Sequence, residues 1–297
     1  MATGATGATG ATLADFKTSE KSWWCPGCGD FGVLAALQKS LVALDLEPEK
    51  LAIVAGIGCS GKIGNYVNGY NLHVVHGRVL PSAMGVKLAN RDLTVICTGG
   101  DGDAYAIGMG HFMHALRRNV NLTYLVMDNH IYGLTKGQYS PTSQSGFKTK
   151  TTPAGNIEAP VHPLTTAIAG GATFVAQGFS SWQPQLAELI QAGVRHPGFA
   201  LINVISPCVT YNKVNTYDWY KQNLTNLASD EAYDPTDRVA ALTKLHETDE
   251  MVTGLIYRDP TSVPYEDRVA HLSKTPLARQ DAPVDQAVWD KILKQLG

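Results

Sequence analysis

The chain has 297 residues, a formal net charge of -2 at pH 7 and a hydrophobic fraction of 44%. This length and composition suffice for one large α/β core with appendages. The charge is nearly balanced, and Lys and Arg do not cluster among aromatic residues, which argues against nucleic acid as a partner. No apolar stretch has the length of a membrane span, and no secretory leader is visible. These features predict a cytoplasmic protein without membrane contact.

The N-terminal segment repeats Ala-Thr-Gly over residues 2–12 and offers no apolar area to bury. We therefore expect residues 1–20 to form a disordered, low-complexity tail. Residues 21–225 carry the periodic patterns of one α/β domain. Residues 226–297 are polar, with several prolines and scattered helix, and we expect a C-terminal arm that contacts partner subunits.

The main domain alternates helical and strand periods, and repeated strand–helix–strand units predict a right-handed parallel sheet flanked by helices. Residues 132–163 are rich in Gly, Pro, Ser, Thr and Lys and show no period, so we expect a long loop near the functional site. The predicted elements, in chain order, are a helix over 33–44 that ends near Pro48, strands over 51–55 and 93–98, a helix over 109–116, a strand over 122–127, a helix over 186–194 and a strand over 199–205.

A glycine-rich loop over residues 56–62, Gly-Ile-Gly-Cys-Ser-Gly-Lys, follows the first strand. It fits both the dinucleotide pattern GxGxxG and the phosphate-loop pattern GxxxxGK. The first needs an acidic residue about 20 positions later, but no Asp or Glu occurs between Lys50 and Asp92. The second needs Ser or Thr after the lysine to bind Mg²⁺, but Ile63 follows Lys62. A tight turn that binds no ligand remains an alternative interpretation of this loop. The cysteine inside the loop favours a functional role.

Carboxylate and amide side chains follow two predicted strands. Gly100-Asp101-Gly102-Asp103 follows the second strand and Asp128-Asn129 ends the third, where parallel sheets place their ligands. A calcium loop is excluded because its sixth position would be Ala106 and its twelfth Phe112. The residues resemble the motif of thiamine-diphosphate enzymes, GDG followed about 25 residues later by Asn. The resemblance implies Mg²⁺ bound by Asp101, the Asn129 side chain and the Ile131 carbonyl, and a cofactor lined by Gly100, Gly102, Asp103, Gly133 and Leu134.

The five cysteines are distributed in a pattern typical of a metal site. Cys25 and Cys28 have the spacing of zinc or iron–sulfur ligands, with Cys59 and Cys208 as distant candidates. Spacing alone fits both groups equally. A redox centre at Cys59, in the loop expected to touch the cofactor, could accept electrons, which favours a cluster over zinc. Cys97 lies inside an apolar strand and is interpreted as a core residue.

Several motifs together resemble the β subunit of 2-oxoacid:ferredoxin oxidoreductases, most closely the 2-oxoglutarate type, over roughly residues 22–225. In order, they are Trp24 to Asp30, Gly56 to Lys62, His76-Gly77-Arg78, Gly100 to Asp103, Tyr132 to Gln138 and Ser206-Pro207-Cys208. The resemblance implies one [4Fe-4S] cluster held by Cys25, Cys28, Cys59 and Cys208. It implies thiamine-diphosphate contacts from Ile57, Gly58, Cys59, Ser60, His76, Gly77 and Arg78. As catalytic candidates it implies Lys62, which would pair with the substrate carboxylate, and Leu134, which would shape substrate preference.

The implied reaction is the coenzyme A-dependent oxidative decarboxylation of a 2-oxoacid, with electrons passed to ferredoxin and possible reversal. Because the chain has room for one cofactor-binding domain, we expect an α subunit to supply the activating Glu, in a dimer of αβ heterodimers. The run 146–153, with Lys148 and Lys150, favours 2-oxoglutarate, with pyruvate as the alternative. Two alternatives each explain only part of the sequence. A non-oxidative thiamine-diphosphate decarboxylase or carboligase does not account for the cysteines, and a zinc-binding scaffold does not account for the GDG motif. His111 and His114 are interpreted as ordinary helix-face residues.

Overall fold

The computed structural model describes residues 10–270, 272, 275–280 and 285–296. Its helices are α1 (Asp30–Ala43), α2 (Val79–Ala89), α3 (Met109–Arg118), α4 (Pro163–Ala169), α5 (Gln183–Arg195), α6 (Tyr217–Asn223), α7 (Arg238–Glu247) and α8 (Gln286–Leu296). Its strands are β1 (Leu51–Ala55), β2 (Tyr70–His73), β3 (Thr94–Gly100), β4 (Leu122–Asp128), β5 (Phe174–Phe179), β6 (Phe199–Ile205), β7 (Thr225–Asn226) and β8 (Val252–Arg258). In these ranges, no helix is both long and apolar enough to cross a membrane.

Within the described residues, the strands form one sheet in the order β2-β1-β3-β4-β6-β5-β8-β7. The pairings among them are parallel except that of β5 with β8, which is antiparallel. The predicted α/β class, with a parallel sheet flanked by helices, is confirmed. All four predicted strands are present, with boundaries shifted by no more than a few residues.

Successive side chains of a strand point to opposite sides, and helices cover both faces of the sheet along its inner strands. Ile53 and Ile96 belong to an apolar cluster that α1 and α5 cover. Val54 and Cys97 belong to a second cluster, covered by α2, α3, α4 and α7. Cys97 is fully buried, as its apolar strand predicted.

The carboxyl ends of the parallel strands meet at one edge of the sheet, where they position the loops of the site. The backbone hydrogen bonds between neighbouring strands continue past the strand ends. Gly56 N–H donates to the carbonyl of Thr98 over 2.8 Å, and Ser206 N–H donates to the carbonyl of Asp128 over 2.8 Å. The tips of β1, β3, β4 and β6 are therefore held side by side. Ligands of open α/β sheets bind at this edge.

The sequence patterns did not predict strands β2, β5 and β8 or helices α2 and α4. Strand β2 is exposed along its whole length, so it lacks the apolar run that marks a buried strand. Strand β8 lies inside the segment predicted as an arm, yet it is largely buried and pairs with β5. The sheet therefore extends beyond residue 225. The contact of residues 226–297 with partner subunits stays a prediction.

The predicted disordered tail requires a correction for residues 10–20, whereas residues 1–9 lie outside the described residues. Phe16 is fully buried in the cluster that contains Ile53. Lys17 forms an antiparallel bridge with Val67, and the Thr18 hydroxyl donates to the carbonyl of Asn65 over 2.7 Å. The buried ring removes a large apolar area from water and, with these hydrogen bonds, holds the segment on the domain.

Candidate active site

A cleft at the carboxyl edge of the sheet brings together loops from distant parts of the chain. Its walls come from the glycine loop after β1, the GDG turn after β3 and the loop after β4. The lining residues are Ile57, Gly58, Cys59, Ser60, His76, Gly100, Asp101, Gly102, Asp103, Asn129, Ile131, Tyr132, Gly133, Leu134 and Thr135. Most of the residues predicted to contact cofactor or Mg²⁺ therefore share one cleft. Tyr132 and Thr135 line it without a predicted role of their own.

Asp101 lies at the floor of this cleft and is almost completely buried. Its Oδ2 accepts hydrogen bonds from the hydroxyls of Ser140 and Thr142, the latter over 2.7 Å. The same Thr142 oxygen lies 2.8 Å from Oδ1 of Asp128. Two buried carboxylates therefore flank one hydroxyl, which carries a single proton.

Burial, followed by the charge of Asp128, raises the pKa of Asp101 to about 7. Burial and a neighbouring carboxylate both disfavour the ionised form of Asp101, and a divalent cation beside it would favour that form. Carboxylate, amide and carbonyl oxygens are the ligands that Mg²⁺ takes in proteins, and they are present here in Asp101, Asn129 and Ile131, so the residues fit the metal.

The Asn129 side chain also shapes its own loop. Its Oδ1 accepts a hydrogen bond from the backbone N–H of Ile131 over 3.1 Å. The backbone carbonyl of Asn129 accepts a hydrogen bond from Nδ2 of Asn212 over 3.0 Å. His130, which lies between Asn129 and Ile131 in the chain, has a positive φ of 54°. These contacts turn the chain sharply after β4 and bring the Ile131 backbone beside the cleft.

The Asp103 carboxylate contacts two loops beside the cleft and holds them together. Its Oδ1 accepts hydrogen bonds from the backbone N–H groups of Ile57, over 3.2 Å, and Gly77, over 3.0 Å. Nδ1 of His76 lies 2.9 Å from the same oxygen, at ion-pair distance. One buried carboxylate thus ties the glycine loop to the His76-Gly77 segment. Its contacts suggest that Asp103 positions both loops rather than acting on a ligand alone.

Gly102 and Tyr132 fit each other closely. A Cβ on Gly102 would lie 2.1 Å from the Tyr132 ring, and the Tyr132 hydroxyl donates to the Gly102 carbonyl over 3.2 Å. Gly61 is constrained similarly, because its Cβ would lie 1.7 Å from the carbonyl oxygen of Gly56. These glycines allow close backbone approach, which a diphosphate-binding loop requires.

The four predicted cluster cysteines gather beside the cleft. A Cβ on Gly133 would lie 3.5 Å from Sγ of Cys208 and 3.9 Å from Sγ of Cys59. Burial, followed by the charges of Asp30, Cys208 and Cys25, raises the pKa of Cys59 to about 11. Burial also raises the pKa of Cys28, as do the charges of Asp30, Cys59 and Cys208. The four thiols are close enough to interact electrostatically.

Among the residues that the structure describes, no three His, Cys, Asp or Glu side chains come close enough together to hold a single metal ion. A zinc ion binds four thiolates at about 2.3 Å and draws them into a compact tetrahedron. The cysteines do not have that arrangement. The choice between zinc and an iron–sulfur cluster, both of which take four cysteines, stays a prediction.

Three predicted contact residues lie outside the set that lines the cleft. Gly77 contributes through its backbone to Asp103, as described above. Arg78 lies beside His111 of α3, with Nη1 2.5 Å from Nε2. Lys62 is near enough to Cys59 for its charge to lower the pKa of that thiol slightly, against the stronger raising effects. The predicted roles of Lys62 and Arg78 stay predictions, as does the interpretation of His111 as a helix-face residue.

The cleft encloses only about 70 Å³, whereas ligand pockets typically measure roughly 300–1,000 Å³. Two apolar side chains that line it are exposed, Ile57 at 37% and Leu134 at 49%. Exposed apolar residues around a site commonly mark a surface for a second protein. The cleft of this chain is therefore smaller than a typical ligand pocket and has exposed apolar side chains in its lining.

Two family models match the chain. Residues 56–204 match the C-terminal TPP-binding domain of thiamine pyrophosphate enzymes, and residues 208–274 match the C-terminal region of the β subunit of pyruvate ferredoxin oxidoreductase. The first match includes the glycine loop, the GDG turn and the loop after β4. The fold and the cleft are therefore those of a thiamine-diphosphate-binding enzyme domain.

Similar proteins identify the family. The chain is 44% identical over 268 residues to the β subunit of 2-oxoacid:ferredoxin oxidoreductase 1 of Aeropyrum pernix, covering 87% of this chain and 84% of the relative. It is 42% identical over 221 residues to 2-oxoglutarate synthase subunit KorB of Archaeoglobus fulgidus, with 72% and 82% covered. A solved structure, 2-oxoglutarate:ferredoxin oxidoreductase from Magnetococcus marinus with 2-oxoglutarate, coenzyme A and succinyl-CoA bound, aligns with a TM-score of 0.88 at 37% identity over 97% of each chain.

This chain belongs to the β subunits of the 2-oxoacid:ferredoxin oxidoreductases. The resemblance inferred from its motifs is confirmed, as is its assignment as an enzyme subunit with a thiamine-diphosphate-binding domain. Membership among β subunits implies an α-subunit partner.

Proposed function

We propose that this β subunit, together with an α subunit, oxidatively decarboxylates 2-oxoglutarate to succinyl-CoA and CO₂ with coenzyme A, and passes the electrons through one [4Fe-4S] cluster to ferredoxin. The position of Cys59 carries the proposal. Its loop lines the cleft that contains Asp101, and its Sγ approaches Gly133 together with Sγ of Cys208. Cofactor and electron acceptor would then be adjacent.

Thiamine diphosphate, when bound, supplies an electron sink at the carbon that loses CO₂. The residues of this chain would bind and orient its diphosphate end. Asp101, Asn129 and the Ile131 carbonyl offer oxygen ligands to Mg²⁺. The bare backbone at Gly100 and Gly102 permits close approach of the phosphates.

The proposed substrate assignment rests mainly on the relatives. The KorB relative is named as a subunit of 2-oxoglutarate synthase, and the matching solved structure has 2-oxoglutarate bound. Leu134 is half-exposed in the cleft wall, which suits a residue that contacts substrate. Lys148 and Lys150 are exposed and lie outside the lining of the cleft, so a role with the second carboxylate would require the assembled pocket. Pyruvate stays the alternative, because the C-terminal match is named for pyruvate ferredoxin oxidoreductase.

The α subunit would complete the pocket and supply the activating Glu. The limited volume of the cleft and the exposed apolar side chains in its lining support this division of labour. A dimer of αβ heterodimers and a cytoplasmic location remain part of the proposal.

The test is an anaerobic assay of the co-expressed αβ complex with ferredoxin as acceptor. We expect reduction that requires both coenzyme A and 2-oxoglutarate and is slower with pyruvate, together with about four irons per β chain. Faster turnover of pyruvate than of 2-oxoglutarate would identify pyruvate as the substrate instead. CO₂ release without ferredoxin reduction, from a complex lacking iron, would favour the non-oxidative decarboxylase instead, and turnover by the β chain alone would refute the role of the α subunit.

A further inference from the structure

Thr142 occupies an unusual position between two buried carboxylates, those of Asp101 and Asp128. Its Oγ1 lies 2.7 Å from Oδ2 of the first and 2.8 Å from Oδ1 of the second. Both carboxylates are at most 3% exposed. Carboxylates at such depth need hydrogen-bond partners, and the Thr142 hydroxyl is the partner that the two share.

The turn that carries Thr142 is fixed to the tip of β4. The Ser140 N–H donates to Oγ of Ser143 over 2.8 Å, and the Ser143 hydroxyl donates to the His130 carbonyl over 2.6 Å. The ring Nδ1 of His130 lies 2.7 Å from the Thr142 carbonyl. These contacts hold the hydroxyls of Ser140 and Thr142 in place before any ligand binds.

Both hydroxyls act on the same oxygen of Asp101. Ser140 and Thr142 donate to Oδ2, whereas in the described part of the chain no hydrogen bond reaches Oδ1. Oδ1 is therefore the oxygen left to a cation at the cleft floor. Fixing one carboxylate oxygen with hydroxyls orients the other, as the outer partners of metal ligands commonly do.

Asp128 has its own buried support on the far side. Nδ2 of Asn203 lies 3.4 Å from its Oδ2 and donates to Oε1 of Gln177 over 2.7 Å. The Tyr105 hydroxyl donates to Oδ1 of Asn203 over 2.9 Å. Asp128 does not line the cofactor cleft, and its side chain reaches Asp101 by hydrogen bonding through Thr142. Its Oδ1 also accepts a hydrogen bond from the His130 N–H over 3.3 Å.

We propose that Thr142 and Asp128 are positioning residues that hold the Asp101 carboxylate with Oδ1 directed at the divalent cation that accompanies the diphosphate. The proposal rests on the thiamine-diphosphate and Mg²⁺ binding proposed above. It assigns a role to the long loop after β4, which contributes hydroxyls to the metal corner although neither hydroxyl is itself a predicted ligand.

The test measures binding of Mn²⁺, as a spectroscopic probe for Mg²⁺, to the αβ complex in the presence of thiamine diphosphate. Free Mn²⁺ is followed by electron paramagnetic resonance for Thr142→Val, Thr142→Ser and Asp128→Asn. We expect Thr142→Val and Asp128→Asn to weaken Mn²⁺ binding by about 10–100-fold, the usual effect of removing an outer partner of a metal ligand. Thr142→Ser keeps the hydroxyl and should bind Mn²⁺ like the unaltered complex.

Thr253→Val is the matched control, because Thr253 is a buried threonine of β8 whose hydroxyl has no hydrogen-bond partner among the described residues. It should bind Mn²⁺ like the unaltered complex. Equal binding by Thr142→Val and Thr253→Val would overturn the positioning role while leaving the proposed function intact. If the unaltered complex bound no Mn²⁺ with thiamine diphosphate, the proposed function and this inference would both fall.

Discussion

The indole Nε1–H of Trp24 donates a hydrogen bond to the carbonyl oxygen of Cys59 over 2.7 Å. Trp24 directly precedes Cys25, so this bond joins the first cysteine pair to the glycine loop. The ring is buried and makes edge contacts with Phe31 and Tyr66. The relative position of two proposed cluster ligands therefore depends on one side chain that is not itself a ligand.

Replacing Trp24 by Phe should destabilise the cluster region without removing a ligand. The variant keeps an aromatic ring but loses the hydrogen bond, at a cost of about 1 kcal/mol plus a small cavity. We expect faster loss of the visible iron–sulfur absorbance when the purified αβ complex is challenged with an iron chelator. Trp23→Phe is the control, because Trp23 is 79% exposed. Identical rates of loss in the two variants would show that the bond has no role in holding the cluster.

The cysteines allow a direct comparison between a proposed ligand and a core residue. Cys59→Ser should lower the iron content of the complex and abolish ferredoxin reduction, because serine does not provide the thiolate that the cluster requires. Cys97→Ala should retain the iron, since Cys97 is fully buried in β3 among apolar side chains. Iron and sulfide analysis measures both. A Cys59→Ser complex with full iron and normal turnover would remove Cys59 from the ligand set.

The sequence predicted the strand tips well because each tip combines an apolar run with a motif directly after it. Asp101 and Asn129 could therefore be placed at one edge from the pattern alone. Thr142 could not, because it lies 41 residues from Asp101 and 14 from Asp128 in a loop without period. Threonine in such a loop has many uses, and only the folded chain shows that its hydroxyl lies between two carboxylates.

The remaining elements that the sequence did not predict are either exposed or flanked by sequence without a pattern. Strand β2 is fully exposed, and the segment around Phe16 is short and follows low-complexity sequence, so neither carries a periodic pattern. Strand β8 has an apolar pattern, but the polar segments around it suggested an arm. In each case tertiary pairing supplies the stabilisation, and local sequence does not record it.

Gly102 should tolerate no side chain. In Gly102→Ala the new methyl group would meet the Tyr132 ring at 2.1 Å, so the ring or the GDG turn must shift, and overpacking of this kind typically costs about 1–3 kcal/mol. We expect weaker binding of thiamine diphosphate by the αβ complex, measured by calorimetry. The control is Gly110→Ala in α3, where a Cβ would meet nothing within 4 Å; there the better helix propensity of alanine should stabilise by up to about 1 kcal/mol. Unchanged cofactor binding by Gly102→Ala would contradict the close fit.

His196 should make the stability of the domain depend on pH. The residue is buried, and its Nε2 lies 2.8 Å from Oγ1 of Thr173, which donates to Asn119. Burial, followed by the charge of Arg258, lowers the pKa of His196 from 6.5 to about 4. The unfolded chain therefore binds a proton that the folded chain excludes between these values, so stability falls as the pH drops from about 6.5 towards 4.

Thermal unfolding of the wild-type chain and of His196→Gln, compared at pH 7 and pH 5, measures this contribution. We expect the Tm of the wild type to fall more on acidification than that of His196→Gln, because glutamine binds no proton. Burial also raises the pKa values of Asp30 and Asp101, which opposes the loss, but both proteins share that effect and it cancels in the comparison. His114→Gln, which removes an exposed histidine of α3, should behave like the wild type. Parallel pH dependence of His196→Gln and the wild type would show that His196 takes up its proton without unfolding.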